Sequence, residues 1–318
     1  MTSKNEDKMY MGKNRDLNVY PINIDEDKLG EDDDRYPLPN KVHFNVFLGS
    51  IRSGKSTLLN SMYLSPRFMG GDMYDVRILI SATALNDVQM KYMCEEFDYI
   101  FEDYSEALLE EILEMIENDT IDRSYLLVID DAMSESGITQ KKAGKSDKFT
   151  QLITRYRHVG SKVLGTEGRL AICVCLQFFK YLTPALRNQI QGLFLMGSFP
   201  EAELNKIAES YSFMGGSKKA FVELFNRSKV GEYDFTYINV PRLQMWRNFT
   251  ELLYDKKNNF SVVPIDQFKN ADTRGKEGTN VEELSEGEGS KGKKKRRSKA
   301  TKQKGTGTDK PDPSIIKA

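Results

Sequence analysis

"FLGSIRSGKSTLLN", residues 47–60, decides the fold. An apolar, β-rich run leads into it, a Gly/Ser turn interrupts, and a helical pattern carrying Lys55, Ser56 and Thr57 follows. Gly49, Gly54, Lys55 and Ser56 satisfy G-x-x-x-x-G-K-[ST] without a mismatch. A phosphate demands these residue types. The glycines let backbone N–H groups curl round a β-phosphate, the lysine reaches the β and γ oxygens, and the serine hydroxyl ligates Mg²⁺. Gly49, Ser50, Ile51, Arg52, Ser53, Gly54, Lys55, Ser56 and Thr57 are therefore the expected nucleotide-binding segment. An ordinary turn is the bland alternative, and the strand before it and helix after it argue against that.

About seventy residues downstream, "YLLVIDDAM" (125–133) supplies a second half. A hydrophobic strand delivers Asp130 to its C-terminal end, where a carboxylate holds Mg²⁺ through water. Asp131 beside it is placed to act on an attacking water. "LAICVCLQ" (170–177) ends in Gln177, which stands beside the γ-phosphate if this strand lies between the two motif strands. "ITRYRHVG" (153–160) carries Arg155, Arg157 and His158 at the end of an amphipathic helix whose apolar face is Phe149, Leu152, Ile153 and Tyr156. "FKYLTPALRNQ" (179–189) puts Arg187 on a short helix. Each of these arginines is either a finger reaching a neighbouring subunit's γ-phosphate or a plain surface charge. A GTPase needs an N-K-x-D motif, and "NKIA" at Asn205 lacks the aspartate. The length excludes a two-lobed helicase, and "TRYRHVG" is too short for the Arg-rich lid of a small-molecule kinase. ATP with Mg²⁺ is the expected ligand.

Strand-like runs at 41–49, 75–83, 125–131, 169–177, 192–198 and 233–240 alternate with helical patterns at 104–119, 200–211 and 217–228. In 104–119, Leu108, Ile112 and Met115 fall on one helical face. Strands separated by helices, some of them continuous apolar runs, imply an α/β domain with a mainly parallel sheet flanked by helices, of the P-loop NTPase (RecA/ASCE-like) class. The predicted organisation is an acidic, Pro-punctuated arm over 1–40, the ATPase domain over 41–265 and a disordered basic tail over 266–318, whose Gly/Ser/Lys/Glu composition has little to bury.

The 318 residues are 39% hydrophobic and 29% charged, with a mean hydropathy of −0.54. No run approaches the roughly 18 apolar residues of a membrane span, and no secretory signal is legible. Cys94, Cys173 and Cys175 are too few for a disulfide framework, and a reducing compartment is expected. The net charge of −1 hides an asymmetry: residues 291–304 hold nine Lys/Arg and no acid, leaving −10 on the rest. That tail suits DNA phosphates, nuclear import or mere solubility.

Taken with "TRYRHVG", "ICVCLQ", "TPALRNQ" and "YDFTYINV", the two motifs give residues 41–250 a resemblance to the FtsK–HerA superfamily. The likeness extends to the virion DNA-packaging ATPases of large eukaryotic DNA viruses and virophages, the poxvirus type included. The resemblance implies Lys55 and Ser56 on phosphate and Mg²⁺, Asp130 as metal carboxylate, Asp131 as catalytic carboxylate, Gln177 as γ-phosphate sensor and Arg157 or Arg187 as the trans finger. It implies a ring of identical subunits that threads double-stranded viral DNA into a capsid, with capsid proteins as further partners and no membrane. The setting it implies is host cytoplasm or nucleus at the assembly site, or the virion, rather than secretion. The chain departs from the superfamily at Asp131, where glutamate is usual, and at the lengthened "SKVLGTEGR" (161–169). Arg52 is an in-cis alternative finger. The rival expectation is a nucleotide-dependent scaffold whose loop is a latch with little turnover; a small-molecule phosphotransferase is a third. "KKAGK" (141–145) and "GGSKK" (215–219) are the candidate DNA-contacting loops.

Overall fold

The computed structural model describes residues 37–84, 86, 90–130, 147–160 and 168–263. The expected 1–40 arm, apart from 37–40, and the basic tail lie outside them. Strands β1 (Phe44–Gly49), β2 (Val76–Ser81), β3 (Tyr99–Phe101), β4 (Tyr125–Asp130), β5 (Leu170–Leu176) and β6 (Gly192–Met196) are all parallel. Beyond β6 the sheet continues antiparallel through β7 (Phe235–Asn239), β8 (Gln244–Arg247), β9 (Glu251–Asp255) and β10 (Phe260–Ser261). The order across the sheet is β3-β2-β4-β5-β1-β6-β7-β8-β9-β10. β5 thus lies between β1 and β4, the condition on which the reading of Gln177 rested. This is the additional-strand α/β P-loop fold, and the mainly parallel sheet flanked by helices is as expected.

Both faces of the sheet are covered. On one face, α1 (Lys55–Leu64) and α2 (Met90–Glu96) pack Leu59, Met62, Met90 and Met93 against Leu126, Val128, Cys173 and Cys175. On the other, α3 (Glu106–Asn118), α4 (Lys148–Arg155), α5 (Pro184–Arg187), α6 (Glu201–Tyr211) and α7 (Lys218–Arg227) pack against Leu127, Ile129, Ile172 and Val174. Burial from two sides is why these strands read as unbroken apolar runs. α4 buries Phe149, Leu152 and Ile153 as expected, and Tyr156 continues that face in the 3-10 turn that follows. In α3 the buried stripe is Leu109, Ile112, Leu113 and Ile116, rotated from the expected Leu108, Ile112 and Met115. Leu108 and Met115 sit on the flank of that stripe, lining a shallow cavity with Tyr99 and Phe101 of the edge strand. Cys173 and Cys175 are buried in β5, and all three cysteines are free thiols. Among the described residues no helix is long and apolar enough to cross a membrane.

At the N-terminal end of β1 a buried polar chain ties the sheet to α1. The Asn40 carbonyl can only accept, so His43 Nδ1 carries the proton donated to it at 2.8 Å. His43 Nε2 then accepts from the Tyr63 hydroxyl at 2.8 Å, and that oxygen receives Asn45 Nδ2 at 3.2 Å. Burial lowers the His43 pKa from 6.5 to about 4, keeping the ring neutral. Between those values the unfolded chain binds a proton that the native state refuses. The contribution of His43 to stability is therefore complete above pH 6.5 and is lost as pH falls toward 4, by about 3 kcal/mol in all. Chemical denaturation from pH 7.5 to 4.5 is expected to show this loss in the wild type and a flatter profile in His43→Gln. An equal pH slope in both proteins contradicts it.

Candidate phosphate site

The loop runs from the C-terminal end of β1 to the first turn of α1. Gly49 is required by crowding: a Cβ there would stand 2.6 Å from the Met196 carbonyl oxygen and 2.6 Å from Ser53 Oγ. Gly54 is required by its backbone, at φ +90°, where side chains are strained. Arg52 also takes a positive φ of 62° and is exposed. Ser53 N–H closes a turn on the Ser50 carbonyl at 3.3 Å, and Leu58 N–H bonds the Gly54 carbonyl at 3.0 Å, starting the helix. Lys55 is buried and its ammonium donates to the carbonyls of Gly49 and Ser50, both at 2.9 Å. A cation is thus held at the mouth of a loop that opens a helix N-terminus, where anions are favoured. Ser53 Oγ is buried with no hydrogen-bond partner, an orphan polar atom inside the cradle. Ser56 is half-buried and Thr57 exposed on the first turn of α1.

Sheet register brings the other expected residues to this edge. Leu48 pairs with Leu176, so the next positions along, Gly49 and Gln177, stand side by side. Asp130 pairs with Cys175 on one side and Ser81 on the other. Alternation along β4 and β5 puts Asp130 on the face of Leu126, Val128, Cys173 and Cys175, the face covered by α1. Asp130 is buried. The Cys175 thiol, hydrogen-bonded to Cys173, buried and beside the Asp130 carboxylate, is held well above the usual thiol range and stays protonated. Asp131 lies outside the described residues, as does "KKAGK". Among the described residues no group of three or more His, Cys, Asp or Glu side chains could hold a metal. The donor set here, Ser56 with Asp130, fits a Mg²⁺ that draws its other ligands from phosphate and water.

The two candidate fingers are elsewhere. The exposed Arg157 reaches the Gln189 amide oxygen at 3.5 Å. Its turn abuts the start of β5: the Arg169 N–H bonds the Val159 carbonyl at 3.1 Å, and Tyr156 meets the Phe44 ring at 6.4 Å. That is the opposite edge of the sheet from Gly49, a β1 length of about 17 Å away. Arg187 is half-buried, stacked on Phe179 at 4.1 Å and bonded to Ser210 Oγ at 3.3 Å. Burial pushes its pKa down. Arg155 pairs with Glu117 at 3.7 Å. In "GGSKK", Ser217 caps α7 and Lys218 pairs with Glu209 at 2.9 Å.

The turn 229–234 packs on the loop; the sequence reading placed its last two residues in the strand-like run 233–240, whereas β7 starts at Phe235. Lys229 Nζ donates to the carbonyls of Leu195 at 2.8 Å and Asp234 at 2.9 Å. Burial lowers its pKa from 10.5 to about 8. The only sequence signal was a Gly before an acidic residue in "VGEYD", a common turn pattern.

No family model matches the chain, and no curated protein matches it. Among solved structures, the genome packaging NTPase B204 from Sulfolobus turreted icosahedral virus 2 in complex with AMP is similar at 15% identity. That match covers 66% of this chain and 98% of that one, with a TM-score of 0.49. The pCW3 conjugation coupling protein TcpA with ATPγS is similar at 12% identity, over 67% of this chain and 59% of that one, TM-score 0.38. EssC ATPases 2 and 3 from Geobacillus thermodenitrificans are similar at 15% identity, over 53% and 34%, TM-score 0.36.

Because Gly49 is crowded by backbone, Gly49→Ala must move β6 or the loop and is expected to abolish binding of an ATP analogue and lower Tm. Gly54→Ala finds ordinary contacts at 3.5 and 3.7 Å but a strained φ. It should cost about 1–3 kcal/mol and keep measurable binding. Titration calorimetry and thermal melts check the order, and equal damage from both substitutions overturns it.

Proposed function

We propose that this chain is an ATPase that moves double-stranded DNA during the packaging of a viral genome, working as a ring of identical subunits. The observation that carries the reading is the insertion of β5 between β1 and β4, which aligns Gln177 with Gly49 and holds Asp130 on the α1 face of the same edge. In this reading the loop N–H groups and Lys55 bind the phosphates. Ser56 and Asp130 would hold a Mg²⁺, which would supply positive charge beside the phosphates. Asp131 orients the attacking water and Gln177 senses whether the γ-phosphate is present. Preorganised charge of this kind is the main catalytic device where little covalent chemistry is left to the protein.

The place of Arg157 supports a ring: it lies at the opposite edge from the loop, so in this reading it serves a neighbour's site, with Arg52 in the loop as the in-cis alternative. Arg157, exposed, with a long bond to Gln189 and its guanidinium 5.9 Å from the Tyr156 ring, is the better candidate. Arg187 is committed to Phe179 and Ser210 within its own subunit. The nine Lys/Arg of 291–304 suit salt-dependent binding to DNA phosphates.

Phosphate release from ATP, measured with and without duplex DNA, tests the reading. Turnover that rises with DNA and disappears in Lys55→Ala is expected. Binding without DNA-responsive turnover would favour the latch, and no binding would remove both. A second test addresses the finger. Lys55→Ala and Arg157→Ala are each expected to be inactive alone and to regain part of the activity when mixed, because mixed rings contain intact composite sites. Failure of the mixture to regain activity argues against Arg157.

A further inference from the structure

The proposed nucleotide site has a direction. Asp130 and Gln177 both lie on the β4–β5 side of β1, so the γ-phosphate end points that way. A phosphate chain crossing the loop therefore leaves its α-phosphate and nucleoside on the other side, over the ends of β6 and β7. The surface there is the turn 229–234. Tyr233 is 65% exposed, yet its ring lies against the loop, 3.5 Å from where a Gly54 Cβ would stand. Val230, in the same turn, is 71% exposed.

We propose that Tyr233 is the stacking platform for the nucleobase of the nucleotide held by the loop, and that it accepts purine nucleotides with little discrimination between them. The inference rests on the nucleotide-binding reading above and names its base subsite.

The turn is built to hold that ring outward. Asp234 Oδ2 accepts the N–H groups of Val230 at 3.1 Å and Gly231 at 2.6 Å, and also Arg247 Nε at 2.9 Å. Asn248 Nδ2 bonds its other oxygen at 3.0 Å. The Asn248 bond and the Gly231 N–H hold the Asp234 carboxyl down at about 2, so the clamp is charged at any neutral pH. From beneath, half-buried Lys229 pins the carbonyls of Leu195 and Asp234. A large aromatic ring displayed on so fixed a turn leaves apolar area in water that a flat base would cover. Weak discrimination follows from the same bonds. The Val230 and Gly231 N–H groups and the Lys229 ammonium are already taken, so they do not read the edge of a base. Stacking on a ring face tolerates every base.

The test is the affinity of the full-length protein, in Mg²⁺ buffer, for ATP, GTP and inorganic tripolyphosphate, compared among wild type, Tyr233→Phe and Tyr233→Ala. Tyr233→Ala is expected to weaken ATP and GTP by about ten-fold or more while tripolyphosphate binds as before. Tyr233→Phe should keep wild-type affinity for all three, and wild-type affinities for ATP and GTP should agree within about ten-fold. Unchanged ATP affinity in Tyr233→Ala overturns the proposal. So does an equal loss for tripolyphosphate, which would make the ring a prop for the loop. Wild-type protein that binds tripolyphosphate as tightly as ATP overturns the base subsite and leaves the phosphate cradle standing. Protein that binds none of the three overturns both.

Discussion

The geometry of the phosphate edge depends on the hydrogen-bonded register of β5, the strand that separates the two motif strands. With Leu48 opposite Leu176 and Asp130 opposite Cys175, three strands end together. The residues just past or at those ends are a glycine, an amide and a carboxylate. A register slip of one residue in β5 would turn Cys173, Cys175 and Gln177 to the other face and bring Ile172, Val174 and Leu176 under α1. Two covered faces make such a slip costly on both sides, so the position of Gln177 is held by the packing of the whole sheet.

That packing also explains the demands on the loop. β6 presses its Met196 carbonyl so close to Gly49 that only a hydrogen fits. The tight approach keeps the loop's carbonyls where the Lys55 ammonium can hold two of them. Phe194, two positions before Met196 in β6, stacks between Phe47 at 4.3 Å and Tyr237 at 4.8 Å. This aromatic layer runs from β1 through β6 into β7, locking the antiparallel extension to the strand that carries the loop. The turn before β7, with Tyr233 at its tip, inherits its placement from that layer.

The opposite edge of the sheet has a different character. There α4 ends, β5 begins, and Arg157 reaches Gln189. Helices that follow parallel strands run back across the sheet, so a residue at a helix end is carried away from its own subunit's phosphates. A cation at that end serves a neighbour's site or the fold itself. The bonds of Arg187 to Phe179 and Ser210 favour the second role for it, and the exposure of Arg157 leaves the first to it in the proposed ring.

Much of this was legible in the amino-acid order because it is local. The glycine spacing of 49–56, the strand delivering Asp130 and the periodicity of α4 are set by neighbours in the chain, and unbroken apolar runs announce strands buried on both faces. Less local features were not. β8 and β9 carry Gln244, Arg247 and Glu251 and a bulge at Met245/Trp246, so their alternation is broken and only pairing with β7 makes them strands. The buried stripe of α3 was misjudged by a rotation because Leu108 and Met115 are as apolar as Leu109 and Ile116; which of them faces inward is settled by the sheet beneath. The chain by itself determined that a Gly/Ser loop between a strand and a helix, an aspartate-ended strand and an amide-ended strand would exist. Only the tertiary structure decided that the amide-ended strand lies between the other two, that Arg157 sits at the far edge, and that Tyr233 rests on Gly54. Those are facts of strand order and helix direction, which residues hundreds of positions apart impose on each other through hydrogen-bond register and close packing.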